Sequence, residues 1–80
     1  GQYSKIDALH DLLNKPEFKK VIIFLRTKRL ADKLSYELKD RGFKVAAIHG
    51  NKSQPQRKKA LDLFKNDQVT ILVATDVVAR

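Results

Sequence analysis

Cysteine, methionine and tryptophan are absent from this 80-residue chain, and it has only three glycines and two prolines. Without cysteine there is neither a disulfide framework nor a thiolate metal site, and the composition fits a reducing compartment. Glycines at positions 1, 42 and 50 are too sparse for a Walker A loop or a dinucleotide-binding fingerprint. There is no cysteine nucleophile and no serine elbow, and His10 falls in a predicted first helix with no triad partner. No apolar run approaches the roughly 18 residues that span a bilayer, and the N-terminus lacks signal-peptide character. No repeat, linker or low-complexity stretch interrupts the chain.

What is present is positive charge. Seventeen Lys and Arg stand against nine Asp and Glu, a formal net charge of +8. Such an excess favours a polyanionic partner, with nucleic acid ahead of anionic lipid. The plainer reading, lysine-rich helix faces that are merely solvated, stands beside it. A single domain or a piece of one is all this length allows, with correspondingly little buried core.

Periodicity and capping signals alternate along the chain. Ser4 is placed to cap a helix with Ile6, Leu9, Leu12 and Leu13 on one face, ended by Asn14, Lys15 and Pro16. Val21 to Leu25 is a continuous apolar run, the pattern of a parallel strand covered on both faces. Thr27 opens a second helix with a stripe of Leu30, Ala31, Leu34 and Leu38, and Gly42 suits its left-handed C-terminus. A strand from Lys44 to Ile48 leads to His49-Gly50. Ser53 and Gln56 have capping-box spacing before a helix that carries Ala60, Leu61 and Phe64. A last strand covers Thr70 to Ala74.

The order α-β-α-β-α-β with crossover-length connections predicts a three-layer α/β unit. It would hold about three parallel strands with helices on both faces. Placing the first strand in the middle gives the expected spatial order 2-1-3.

In a parallel sheet every strand's C-terminal end points to one rim, where open α/β folds bind ligands. Three segments converge there: Arg26 to Arg29, His49 to Gln54, and Thr75 through Arg80. Hydroxyls, amides, basic side chains and two helix N-termini suit a phosphate backbone better than base edges. Taken singly, Thr27 and Ser53 read as caps ahead of ligands, His49 as a structural histidine without metal-ligand neighbours, Arg57 as a solvated arginine, and Asp76 as a loop hydrogen-bond acceptor. Lys19, Lys20, Lys58 and Lys59 read as solvated faces unless RNA reaches them. No acid/base pair and no metal site is indicated.

The residues Ile22-Ile23-Phe24 with Thr27-Lys28, Ile48-His49-Gly50, Ser53-Gln54-x-x-Arg57, Phe64 and Ile71 through Arg80 resemble the DEAD-box RNA helicases. They look like the first half of the second RecA-like domain, over nearly the whole chain, so residues 1–80 are expected to be the N-terminal half of that domain. The resemblance implies that Gly50, Gln54, Arg57, Thr75 and Arg80 lie on or support an RNA-backbone surface. It implies the same for Thr27, and an organising role for Asp76 in the segment known as motif V. Val78 departs from the alanine of many relatives.

The resemblance also implies a parent that is an ATP-dependent RNA helicase using ATP and magnesium. The first RecA-like domain and the remainder of the second would be its partners in that parent. The isolated 80 residues are expected to have no catalytic residues, no bound cofactor and no ATPase activity. A location inside the cell follows from the resemblance, whether nucleus, nucleolus or cytoplasm. Two other readings stay open: a non-catalytic RNA-binding α/β module that uses the same rim, and a folded fragment whose charge serves solubility alone.

Overall fold

The computed structural model describes residues 3–50 and 52–75. Its elements are α1 (Lys5–Leu13), β1 (Val21–Leu25), α2 (Lys28–Asp40), β2 (Val45–Ile48), α3 (Gln54–Lys65) and β3 (Ile71–Thr75). The predicted alternation is therefore present, and the local signals act where the sequence places them. Ser4 and Asp7 form a reciprocal capping box at α1, Thr27 caps α2, and Ser53 with Gln56 forms a second box at α3. Each of these pairs a backbone N–H that the first helical turn leaves without a partner.

Gly42 adopts φ +93° after α2. The N–H of Phe43 donates to the Leu38 carbonyl at 3.0 Å and that of Gly42 to Lys39 at 2.9 Å. This is a Schellman closure, and it folds Phe43 back onto the core that contains Leu38. The end of α3 repeats the pattern without glycine. Gln68 N–H reaches the Leu63 carbonyl at 2.9 Å, Asp67 N–H reaches Phe64 at 3.2 Å, and Asp67 itself takes φ 62°. Aspartate is among the few non-glycine residues that enter this region readily.

All three strands are parallel, but their order is β1-β3-β2. The expected order 2-1-3 is thus corrected: β3 and not β1 is central. Burial gives the reason. Every residue of β3, from Ile71 to Thr75, is buried, whereas along β1 exposure alternates and leaves Ile22 48% and Phe24 72% exposed. A strand needs cover on both faces to sit in the middle of such a sheet. Two apolar clusters supply that cover for β3. On one face Ile71 and Val73 pack with Val45, Leu13, Ala31 and Leu38, beneath α1 and α2. On the other, Leu72 packs with Ala46, Ile48, Val69 and Ala60 beneath α3.

Strand ends shift by one residue from the sequence reading. Lys44 lies before β2, although its carbonyl accepts from Thr70 and Ile71 at 3.0 and 3.1 Å. Thr70 precedes β3, and Thr75 closes it. Leu12, Leu30 and Leu61, expected on buried stripes, are 40–47% exposed. A sheet of three strands is narrower than the apolar arcs of the helices laid on it, so the flanking leucines overhang. Ser35, in contrast, is buried within α2.

Asp7 also ties α1 to the end of α2. Its carboxylate accepts from Ser4 N–H at 3.0 Å, from the Ser4 hydroxyl at 3.0 Å and from Arg41 Nη2 at 2.9 Å. These contacts, the Ser4 backbone bond foremost, hold its pKa down to about 2 from an ordinary 3.8. The carboxylate form is thereby favoured in the folded state. Its stabilisation is complete above 3.8 and is lost as pH falls toward about 2. Urea midpoints measured across that window should fall less steeply with acidification for Asp7→Asn than for the parent chain. Equal slopes would show that Asp7 contributes nothing.

Candidate functional site

The register places the strand ends level with one another. Leu25 pairs with Thr75, and Ile48 with Ala74. The segments leaving β1 and β2 therefore start from the same rim as the end of β3. Thr27 stands two residues beyond Leu25, and its hydroxyl accepts from Leu30 N–H at 3.1 Å, opening α2 at the rim. Gly50 is exposed in a turn closed by Lys52 N–H donating to the His49 carbonyl at 3.0 Å. Ser53 then starts α3: its N–H donates to Gln56 Oε1 at 2.8 Å, and its hydroxyl accepts from Gln56 N–H at 3.2 Å. Gln54 is the first residue of α3 and is exposed.

Arg57 lies one turn into α3 and is half-buried, with its Nε shielded from solvent and unpartnered among the described residues. That state is costly for a guanidinium N–H, and an incoming acceptor would relieve it. Thr75 differs from expectation. It closes β3 rather than opening the following loop, is 1% exposed, and its Oγ1 is buried without a partner among the described residues. Asp76 and Arg80 lie outside the described residues. Five of the expected positions, Thr27, Gly50, Gln54, Arg57 and Thr75, are thus on or directly beneath one rim.

His49 is structural, as one of its two sequence readings has it, but it has a partner that the sequence did not reveal. Its ring is 2% exposed, and Nε2 stands 2.7 Å from Asp32 Oδ1 on α2. The two residues are 17 apart in sequence. No local spacing rule connects them; only the packing of α2 beside β2 does. Lys20 and Lys58, read as solvated, also have partners. Lys20 bonds Asp67 at 3.1 Å and lies 4.4 Å over the Phe64 ring, while Lys58 bonds Asp62 at 3.1 Å. Both pairs are largely exposed, where such contacts add little stability.

Charge at the rim comes from Arg26, Lys28, Arg29, Lys52 and Arg57. Two helix N-termini add their positive dipole ends. Oxygen-rich, anionic and extended ligands suit this arrangement. Among the described residues no cluster of three His, Cys, Asp or Glu side chains could hold a metal ion. A cavity of about 480 Å³ between α1 and α2 is walled by Ile6, Leu9, Leu25, Leu30 and Leu34. It is mainly apolar, with Ser4, Lys5, Lys33 and Glu37 completing its lining. No helix among the described residues is long and apolar enough to cross a membrane.

Comparison with known proteins places this geometry in a family. The profile of the helicase conserved C-terminal domain matches residues 4–80. Across all 80 residues the chain is 46% identical to a probable ATP-dependent RNA helicase of Methanocaldococcus jannaschii, spanning 22% of that protein. Over 78 residues, 98% of the chain, it is 45% identical to the ATP-dependent RNA helicase CshA of Limosilactobacillus reuteri, spanning 16% of it. Its fold superimposes on the Escherichia coli DEAD-box protein SrmB, solved bound to regulator of ribonuclease activity A. There the TM-score is 0.87 at 33% identity, over 95% of this chain and 45% of that one. The chain spans less than a quarter of these curated relatives. It belongs to the DEAD-box-like RNA helicase family, falling within the helicase conserved C-terminal domain and having part of the RecA-like fold.

Proposed function

We propose that this chain is the N-terminal half of the second RecA-like domain of an ATP-dependent RNA helicase and carries part of its single-stranded RNA backbone-binding surface. The observation that supports this most is the level register of the strand ends, which gathers Thr27, Gly50, Gln54 and Arg57 at one basic rim. Gly50 and Gln54 are exposed for direct contact, and the buried Nε of Arg57 is an N–H without an acceptor among the described residues. Thr75 supports the surface from beneath. Arg80 extends the surface and Asp76 organises the same segment, as the family resemblance implies.

RNA, the first RecA-like domain and the rest of the second are the partners in this reading, and ATP and magnesium belong to the parent enzyme. Among the described residues no glycine loop could cradle the phosphates of a nucleotide. Gly42 closes α2 and Gly50 turns toward α3, so neither contributes to a phosphate-binding glycine loop. The isolated chain should therefore not hydrolyse ATP.

Single-stranded RNA binding measured against salt concentration tests the proposal. The chain should bind more weakly as salt rises. Arg57→Ala should both weaken binding and reduce the logarithmic salt slope by about 0.7, the loss of one phosphate contact on a single strand. An unchanged slope would remove Arg57 from the surface. ATP hydrolysis by the purified chain, abolished in Arg57→Ala, would overturn its assignment as a non-catalytic part.

A further inference from the structure

Asp32 is out of character with its surroundings. The charged groups near the rim-side ends of the elements that meet at His49 are otherwise cationic. Arg26 follows β1, Lys28 and Arg29 begin α2, Lys52 lies between β2 and α3, and Arg57 is in the first turns of α3. β3 adds no charged residue among those described. The Asp32 side chain is 58% exposed, so a carboxylate sits open to solvent near a rim built for phosphate. Electrostatics alone would make it a liability for binding a polyanion.

Its position gives it another role. Asp32 stands in the early part of α2, the helix that grows from the Thr27 segment, and His49 immediately precedes Gly50. The 2.7 Å contact therefore joins the helix behind the first rim segment to the root of the second. An ionised carboxylate can only accept, so Nε2 carries the proton and donates, whether the ring is neutral or charged. The capping bonds at Thr27 and Ser53 each reach only three residues along the chain. They shape each segment separately and leave the distance between segments unset. The Asp32–His49 bond spans that distance, and the His49 ring is held on its side by near-complete burial.

We infer that Asp32 and His49 are positioning residues that hold Gly50 and Ser53 at a working distance from the Thr27 segment, so that one RNA backbone can engage both. This rests on the RNA-binding reading above. The carboxylate is kept because its geometric effect outweighs its repulsion of phosphate, and that makes a prediction opposite in sign to simple charge counting.

The test uses the 80-residue chain, a fluorescein-labelled oligouridylate and anisotropy at fixed salt. Asp32→Ala should weaken binding by about three- to tenfold, the range that corresponds to losing one ordinary net hydrogen bond. Asp32→Asn keeps an oxygen acceptor and should stay within about twofold of the parent chain. If Asp32→Ala binds as tightly or more tightly, charge removal dominates and the inference is overturned. Should Asp32→Ala fail to fold, Asp32→Glu replaces it. That variant keeps the charge but displaces the carboxylate by one methylene, and unchanged RNA affinity would again overturn the positioning role.

Amide NMR spectra without RNA separate this inference from the functional reading. Asp32→Ala should shift the Gly50 and Lys52 signals and leave Val73 in place, with Asp32→Asn restoring them. Unmoved Gly50 and Lys52 signals would overturn the inference even if RNA binds. Absence of RNA binding by the parent chain and by Arg57→Ala alike would instead overturn the RNA reading.

Discussion

Leu38→Ala is expected to lower the unfolding free energy by about 2–5 kcal/mol, the range for emptying a buried leucine site. Leu38 is fully buried and belongs to the cluster that joins α2 to Val45, Ile71 and Val73. Its carbonyl also accepts the Phe43 N–H that closes the helix, so the side chain and the backbone at this position anchor the same end of α2. A domain of this size has a total stability on the order of 4–12 kcal/mol, so the variant should lose a large fraction of it. Leu30→Ala is the matched control. Leu30 lies on the same helix but is 47% exposed, and its removal should cost under about 1 kcal/mol. Urea denaturation followed by circular dichroism compares the two. Equal midpoints would show that α2 does not pack through Leu38.

Gly42→Val should cost roughly 1–2 kcal/mol, the penalty for an L-residue in the left-handed region and a cause different from cavity formation. A Cβ added at Gly42 meets nothing within 4 Å, so crowding contributes nothing. The cost comes from φ +93°, which glycine adopts freely and a β-branched residue resists. Gly42→Asn should recover much of the loss, because asparagine tolerates this conformation better. The order Gly, Asn, Val in urea midpoint checks the argument. If Val and Asn variants were equally stable, backbone strain would not be the source. Asp67, which makes the equivalent turn after α3 at φ 62°, shows that this fold accepts a non-glycine residue there.

Much of the fold was legible because its signals are local. A capping box requires Ser53 and Gln56 three residues apart, and a Schellman turn requires one residue able to take positive φ. Strand identity was legible from apolar runs, and parallel pairing from the crossover lengths. The rim followed from these, since parallel strands deliver their C-terminal ends together. Gln54 fell in the segment that reaches the rim, whereas Arg57, which taken alone reads as a solvated arginine, was named as a binding residue only by the family resemblance.

The failures share a physical origin. Val21–Leu25 and Ile71–Thr75 are both short apolar runs, and neither carries a mark that says how much cover it will receive. Only the laying of α1 and α2 on one face and α3 on the other decides that β3 is central, while Ile22 and Phe24 of β1 remain uncovered. The same assembly buries Thr75 and leaves Leu12, Leu30 and Leu61 overhanging.

By itself, then, the sequence determined the succession of elements, their capped ends, the parallel sense of the sheet and the basic character of its rim. These rest on interactions within about four residues and on the length of connections. Tertiary structure decided the strand order, the burial of Thr75 and the 2.7 Å bond between Asp32 and His49. Each of those depends on which surfaces meet after the chain has folded back on itself, and burial between distant segments leaves no fixed spacing in the sequence.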